Sequence, residues 1–203
     1  MEHYEKLKNY LMHPSCDWEA GLLLCLCSGI RLGELSGLTW ENIHTEEGYI
    51  SINRTISRIT NVNYKENPNQ TKTILYIRSP KTKSSIRDIP VSDTVCKILE
   101  QWRKDKSCYL MTGCEHCMEP RTIQRKYKRL LEILNIPYVK IHSLRHQFST
   151  LWIEKSFDSK NLAEILGHTS VKTTLDIYVH GNDKLKKEYM NQMTSGNTNF
   201  KES

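Results

Sequence analysis

No apolar run in this 203-residue sequence is long enough to cross a membrane. The longest such run covers residues 20–27, and the residues that follow Met1 do not resemble a targeting segment. The sequence also lacks internal repeats and any linker that would divide it into two domains. These absences lead us to expect a cytoplasmic protein that folds as one unit and has no membrane partner.

Disulfide bonds are not expected, although the sequence contains seven cysteines. Their number is odd, and Cys25 and Cys27 lie inside the apolar run, which is typical of reduced, buried thiols. Cys114 and Cys117 flank His116 in a pattern that could bind zinc, but no second pair follows at zinc-finger spacing. We therefore expect free thiols in this loop, with no metal and no cofactor, and zinc binding is the alternative.

The charge of the chain permits a polyanionic partner without requiring one. Lysine and arginine together outnumber aspartate and glutamate by 29 to 23, which gives a formal net charge of +6. Because a solvated basic surface gives the same sum, charge alone does not identify a nucleic-acid-binding protein.

The apolar patterns predict an α+β fold that is mostly helical, with a small three-stranded antiparallel sheet. Asp17 is expected to cap a buried helix that Gly29 ends, and residues 31–36 predict a short second helix. Runs of β-branched and aromatic residues predict strands over residues 49–56, 73–78 and 86–91. Helical spacing predicts further helices after Ser92, over residues 123–134, after Ser143 with Leu144, Phe148, Leu151 and Trp152 inward, over residues 158–167, and after Ser170.

Several polar residues are not required by packing. Taken singly, an arginine after a glycine, a histidine near a helix start and a tyrosine on an apolar face each have an ordinary structural explanation. Together they indicate more, because His142 and Arg145 are three residues apart on one predicted helix and share a face. His168 follows a glycine that ends a predicted helix, and Tyr178 lies on the next one. Cationic donors that converge without a carboxylate cluster suit a phosphodiester.

These residues lie in sequence boxes that occur in a fixed order. The boxes are Gly-Ile-Arg-Leu-Gly-Glu-Leu at 29–35, Pro-Lys-Thr-Lys at 80–83, His-Ser-Leu-Arg-His at 142–146, Leu-Gly-His-Thr-Ser at 166–170 and Leu-Asp-Ile-Tyr-Val-His at 175–180. From about Asp17 to His180, the chain resembles the tyrosine recombinases, especially integrases of phages and of conjugative transposons from Gram-positive bacteria. One box alone is weak evidence, whereas this combination is specific.

The resemblance implies an enzyme that cleaves and rejoins DNA strands through a 3′-phosphotyrosyl intermediate, in the integration or excision of a mobile element. The catalytic residues that it implies are Arg31, Lys81, His142, Arg145, His168 and Tyr178. Tyr178 would be the nucleophile, and Arg31 and Arg145 would bind the non-bridging phosphate oxygens with their planar guanidinium groups. Lys81 would protonate the leaving 5′-oxygen, and Lys83 is the alternative because the length of this hairpin varies in the family.

The two histidines and one carboxylate have supporting roles in the family pattern. His142 would accept a proton or bind the phosphate, and His168 would hydrogen-bond a non-bridging oxygen and help to position Tyr178. Glu34 lies three residues past Arg31, within helical reach, so we expect it to orient that arginine or a neighbour rather than to contact DNA.

The resemblance also implies a domain organisation and partners. We expect residues 1–180 to form the catalytic domain, and residues 181–203 to form a tail that docks on another subunit or is disordered. The implied partners are double-stranded DNA and other copies of the chain, which form a tetrameric synapse in the family. The protein would be encoded by a bacterium or a phage and act in the cytoplasm.

One departure from the family and two alternative functions stay open. Family members usually carry DNA-binding domains before the catalytic domain. Only about thirty residues precede Arg31, so we expect those domains to be absent and DNA binding to be weak and salt-sensitive. The alternatives are a catalytically inactive DNA-binding fragment or regulator with the same fold, and an enzyme of the type IB topoisomerase kind.

Overall fold

The computed structural model describes residues 2–65, 71–78, 86–155 and 157–167. The predictions that fall outside these residues concern Lys81, Lys83, His168, Tyr178, the helix after Ser170 and the tail 181–203. Within the described residues, no helix combines the length and the apolar character that crossing a bilayer requires.

Helices surround two small antiparallel sheets, as expected for the predicted α+β class. The helices are α1 (Glu2–Leu11), α2 (Asp17–Ser28), α3 (Leu32–Gly37), α4 (Asp93–Glu100), α5 (Pro120–Ile133), α6 (His142–Glu154) and α7 (Ser159–Leu166). The strands are β1 (Ile43–His44), β2 (Tyr49–Ile52), β3 (Thr55–Thr60), β4 (Thr73–Arg78) and β5 (Arg87–Pro90).

Helix α2 forms the centre of the core. Its sequence is apolar on all sides, so it must be surrounded, and α1, α4 and α6 contact it. The prediction of a buried helix that ends at Gly29 is confirmed. The capping prediction is wrong, because Asp17 is the first helical residue and Cys16 occupies the N-cap without a side-chain hydrogen bond.

The predicted three-stranded sheet exists, and the runs 49–56 and 86–91 contribute strands to it, but its third strand is β1 and not the run 73–78. The run 49–56 is broken at Asn53 and Arg54 into β2 and β3. Strand β2 pairs with β1 and β5, whereas β3 pairs with β4 in a separate two-stranded ribbon. Strand β1 has only two residues, too few to produce an alternating pattern in the sequence. In the sheet, Arg87 at the start of β5 lies opposite Ile52.

Helix α6 turns a partly polar face to the interior. The predicted cap at Ser143 is wrong, because the chain already turns at Ile141 and the helix begins at His142. Of the four residues predicted to face inward, Leu144 is buried, whereas Phe148, Leu151 and Trp152 are only partly buried. The other buried residues of the helix are Arg145, Ser149 and Ile153. A charged residue on the buried face interrupts the apolar stripe, so the periodicity places that face at the wrong angle.

Helix α7 packs on α6 through a small apolar cluster beside the main core. The residues of this cluster are Ile153, Leu162 and Leu166, with Phe148 and Trp152 partly buried against them. The carboxylate of Asp158 caps α7 by accepting a hydrogen bond from the Asn161 N–H at 2.8 Å. The helix ends at Gly167, as predicted. Helix α7 also contacts β5.

Candidate active site

Arg31 is placed by a sharp turn between α2 and α3. Gly29 ends α2 with a φ of 64°, in the left-handed region that side chains disfavour. A Cβ atom at Gly29 would lie 2.7 Å from the ring of Phe148, so a side chain there would collide with α6. The turn leaves Arg31 at the N-cap of α3, with 38% of its side chain exposed.

Arg145 forms the floor of the same region. It is only 6% exposed, and its two terminal nitrogens donate to the carbonyl oxygens of Gly29 at 2.8 Å and Leu166 at 2.7 Å. Burial, followed by the nearby charge of Arg31, lowers the pKa of the Arg145 guanidinium to about 9. The group stays charged at neutral pH at a free-energy cost that an approaching anion would offset.

The last turn of α7 anchors the candidate site. Arg31 Nη2 donates to the carbonyl oxygen of Gly167 at 2.9 Å, one residue beyond the Leu166 carbonyl that Arg145 binds. Carbonyl groups at a helix C-terminus lack intrahelical partners and carry the negative end of the helix dipole, so they attract cations. Two arginines from distant parts of the sequence are thereby held side by side.

Glu34 connects this pair to a third arginine. Its Oε1 accepts from Arg31 Nη1 at 2.9 Å, which confirms the expected contact, and its Oε2 accepts from the Arg31 backbone N–H at 3.0 Å. Arg87 also binds both oxygens, at 3.1 and 2.9 Å. Burial by itself raises the pKa of the Glu34 carboxyl, but the bonds and charges of Arg87 and then Arg31 lower it overall.

Sequence reasoning missed Arg87, although the sequence carries a signal for it. Arg87 and Ile89 are two residues apart on β5 and share one face of the strand. Ile89 is fully buried, so a cation at the neighbouring inward position needs an anionic partner. The contact with Glu34 satisfies that need.

The structure brings together two of the six predicted catalytic residues and describes a third. His142 is the exposed first residue of α6, one turn before Arg145. Lys81, His168 and Tyr178 lie outside the described residues. In the sequence, Lys81 lies shortly before β5, and His168 directly follows Gly167.

Comparison with known proteins places the chain in a family. The sequence model of the phage integrase family matches residues 2–184. The chain belongs to the phage integrase family. The predicted resemblance to tyrosine recombinases is therefore confirmed, whereas the boundary at residue 180 stays a prediction.

Bacterial relatives within this family agree with the assignment. A protein named tyrosine recombinase XerC-like from Caldanaerobacter subterraneus is 32% identical over 179 residues, covering 80% of this chain and 45% of the relative. The ICEBs1 integrase of Bacillus subtilis is 23% identical, covering 95% of this chain and 52% of the relative. The chain thus spans about half the length of the curated relatives it matches.

Solved structures of a transposon integrase and of a bacteriophage integrase share the fold. The Tn1549 transposon integrase, solved in complex with a circular intermediate DNA, superposes with a TM-score of 0.71 at 21% identity, covering 93% of this chain and 63% of that chain. The catalytic domain of bacteriophage HP1 integrase superposes with a TM-score of 0.56 at 18% identity, covering 93% of this chain and 90% of that chain.

A basic face on α5 is a second feature that sequence reasoning missed. The cationic residues of α5 are Arg121, Arg125, Lys126, Lys128 and Arg129, and all are exposed. Glu132 is the single acidic residue of this helix. Arg121, Arg125 and Lys128 line a groove of about 600 Å³. An amphipathic helix with a cationic outer face attracts polyanions.

The Cys114 loop does not assemble a metal site among the residues that the structure describes. Cys114 and Cys117 are free thiols, and no group of three or more histidine, cysteine, aspartate or glutamate side chains comes together within the described ranges. Cys114 Sγ instead contacts the carbonyl oxygen of His116 at 3.8 Å. The described residues therefore offer no ligand set for the alternative of zinc binding in this family member.

Proposed function

We propose that this chain is the catalytic domain of a site-specific DNA recombinase that integrates or excises a mobile element. The observation that carries the proposal is the convergence of Arg31 and Arg145 on adjacent carbonyls of the last turn of α7. This arrangement concentrates positive charge at the point where the chain continues into His168 and towards Tyr178.

Arg31 and Arg145, together called the clamp, would bind the scissile phosphate. Each guanidinium carries further N–H donors beyond those that the carbonyls and Glu34 occupy. As the phosphorus is attacked, negative charge grows on its non-bridging oxygens, and fixed guanidinium donors stabilise that charge without reorganising. Arg145 would form the fixed floor of the phosphate site, because it is buried and donates two hydrogen bonds to backbone carbonyls. Arg31 would form the more exposed side of the same phosphate site.

The remaining predicted residues would transfer protons and form the covalent bond. The Tyr178 oxygen would bond to phosphorus while the bond from phosphorus to the 5′-oxygen breaks. Lys81, or alternatively Lys83, would give a proton to the departing oxygen, and His142 would take the tyrosine proton or bind the phosphate. His168 would hydrogen-bond a non-bridging oxygen and help to position Tyr178. A 5′-hydroxyl from another strand would reverse the step, which rejoins DNA without a cofactor.

Double-stranded DNA is the proposed partner, and α5 supports this. Its exposed cations are suited to phosphate contacts, which would make binding salt-dependent. We propose that other copies of the chain assemble with it on DNA, with residues 181–203 available for subunit docking. We also propose that it acts in the bacterial cytoplasm, where its DNA substrate lies.

Covalent trapping tests the proposed function. The chain is incubated with nicked duplexes tiled across the DNA that flanks its gene, because a nick lets the short fragment that carries the new 5′-hydroxyl leave and traps the adduct. A denaturing gel should show a protein–DNA adduct that Tyr178→Phe abolishes. Tyr76→Phe, at an exposed position on β4, is the matched control and should form the adduct normally.

The outcomes separate the competing functions. DNA binding without an adduct would contradict the proposal and favour the non-catalytic DNA-binding fragment. An adduct that is resealed only within its own duplex would favour an enzyme of the topoisomerase kind. Transfer of the cleaved strand to a 5′-hydroxyl of a second duplex is the expected result for a recombinase.

A further inference from the structure

Arg87 makes contacts that the proposed chemistry does not explain. Its side chain is only 7% exposed, although it lies at the start of β5, beyond the sequence boxes. Both terminal nitrogens bind the Glu34 carboxylate, and Nε donates to the carbonyl oxygen of Ile165 at 2.6 Å. One guanidinium therefore joins β5 to α3 and to the last turn of α7.

The contact with Glu34 controls the position of Arg31. Each carboxylate oxygen of Glu34 accepts one hydrogen bond from Arg31 and one from Arg87, so the carboxylate is held between the two arginines. A bidentate contact fixes orientation as well as distance. Without Arg87, Glu34 would keep only its contacts to Arg31 and could rotate together with that side chain.

The contact with α7 controls both anchors of the clamp. Ile165, Leu166 and Gly167 present three consecutive carbonyl oxygens, which accept hydrogen bonds from Arg87, Arg145 and Arg31 respectively. The same peptide chain carries all three acceptors, so a shift at Ile165 moves the other two. The fit is close, because a Cβ atom at Gly167 would lie 3.0 Å from Arg87 Nη1.

We propose that Arg87 is a positioning residue for DNA cleavage, setting the separation of Arg31 and Arg145 through Glu34 and the end of α7. It acts through these groups and not by touching the phosphate. This inference rests on the proposed function, since it concerns the geometry of the same reaction.

Arg87→Lys separates geometry from charge. Lysine keeps the positive charge but lacks the planar guanidinium, so it cannot reproduce the geometry in which three separate nitrogens bind both Glu34 oxygens and the Ile165 carbonyl. Misplacing a catalytic group by about 1 Å can slow a reaction about 100-fold. We therefore expect single-turnover cleavage of a nicked duplex at saturating enzyme to be about 100-fold slower, with unchanged affinity for that duplex.

A control variant and a second variant of the Glu34–Arg87 contact complete the experiment. Arg103→Lys alters another arginine–glutamate ion pair, that of Arg103 with Glu100, which is solvent-exposed at the end of α4, and it should cleave at the wild-type rate. Every variant is assayed at a temperature at which circular dichroism shows it folded. If Arg87→Lys does not fold, Glu34→Gln disrupts the same contact from the other side and should produce the same loss.

The double variant Glu34→Gln with Arg87→Lys should cleave no more slowly than the slower single variant, because both changes disturb one unit. Wild-type cleavage by Arg87→Lys, or rate losses of the two variants that multiply, would overturn the inference and leave the proposed function standing. A wild-type chain that forms no adduct would overturn both.

Discussion

Replacing Gly167 by alanine should change two measurable properties, the stability of the fold and the geometry of the clamp. Gly167 has a φ of 62° and a ψ of 47°, in the left-handed region, where an alanine costs about 1–2 kcal/mol relative to glycine. A chain of this size loses about 2–4 °C in melting temperature for each kcal/mol. We therefore expect Gly167→Ala to lower the melting temperature by about 2–8 °C.

The same substitution should also disturb three arginines. The new Cβ would lie 3.0–3.1 Å from Nη1, Cδ and Cζ of Arg87, closer than ordinary van der Waals contact. Either Arg87 or the last turn of α7 must move, and the Gly167 carbonyl that binds Arg31 belongs to that turn. Cleavage of the nicked duplex should slow by about 100-fold, the typical effect of displacing a catalytic group by about 1 Å.

Gly48→Ala is the matched control. Gly48 has a φ of 74°, so alanine there meets a similar backbone strain, but among the residues that the structure describes its Cβ would have only the Val91 carbonyl oxygen nearby, at 3.5 Å. Both variants should melt earlier than the wild type, and only Gly167→Ala should lose cleavage. Equal cleavage by the two variants at a temperature where both are folded would refute the reasoning that α7 positions the clamp.

Three further predictions follow from the site and from α5. Arg31→Lys keeps the charge but loses the guanidinium fork, so cleavage should fall by about 100- to 1000-fold in single-turnover assays; a wild-type rate would contradict the clamp. The lowered pKa of Glu34 stabilises the fold above the unfolded value of about 4.3, and this stability is lost as pH falls through the folded pKa. Thermal melts should therefore show a smaller acid-induced loss for Glu34→Gln than for the wild type, and parallel curves would contradict the assigned contact. Arg125→Gln on α5 should weaken DNA binding and reduce the slope of log affinity against log salt by about 1, whereas Lys97→Gln on α4 should leave the slope unchanged.

The family and much of the helical pattern could be predicted from the sequence. Each of the boxes around Arg31, Arg145 and Gly167 is a continuous stretch of sequence, so the boxes and their order can be recognised without coordinates. Helix α2 could be predicted because a continuous apolar run has one stable environment, the core, and Gly29 and Gly167 mark helix ends because they tolerate left-handed backbone.

Pairings between distant segments depended on the tertiary structure. One strand of the sheet was predicted wrongly, because the run 73–78 pairs with β3 in a separate ribbon. Strand partners are chosen by long-range contacts that local propensity does not encode. The buried face of α6 was misplaced because Arg145 interrupts its apolar pattern, and its burial is stabilised by carbonyl oxygens from two other parts of the chain.

The sequence by itself determined which residue types are available for the chemistry and the order in which they occur. Only the tertiary structure showed that three arginines, 31, 87 and 145, share the last turn of α7 and that Glu34 links two of them. The physical reason is that helix-end carbonyls and a buried carboxylate act over a few ångströms. Such contacts form only when folding brings together residues that are far apart in the chain.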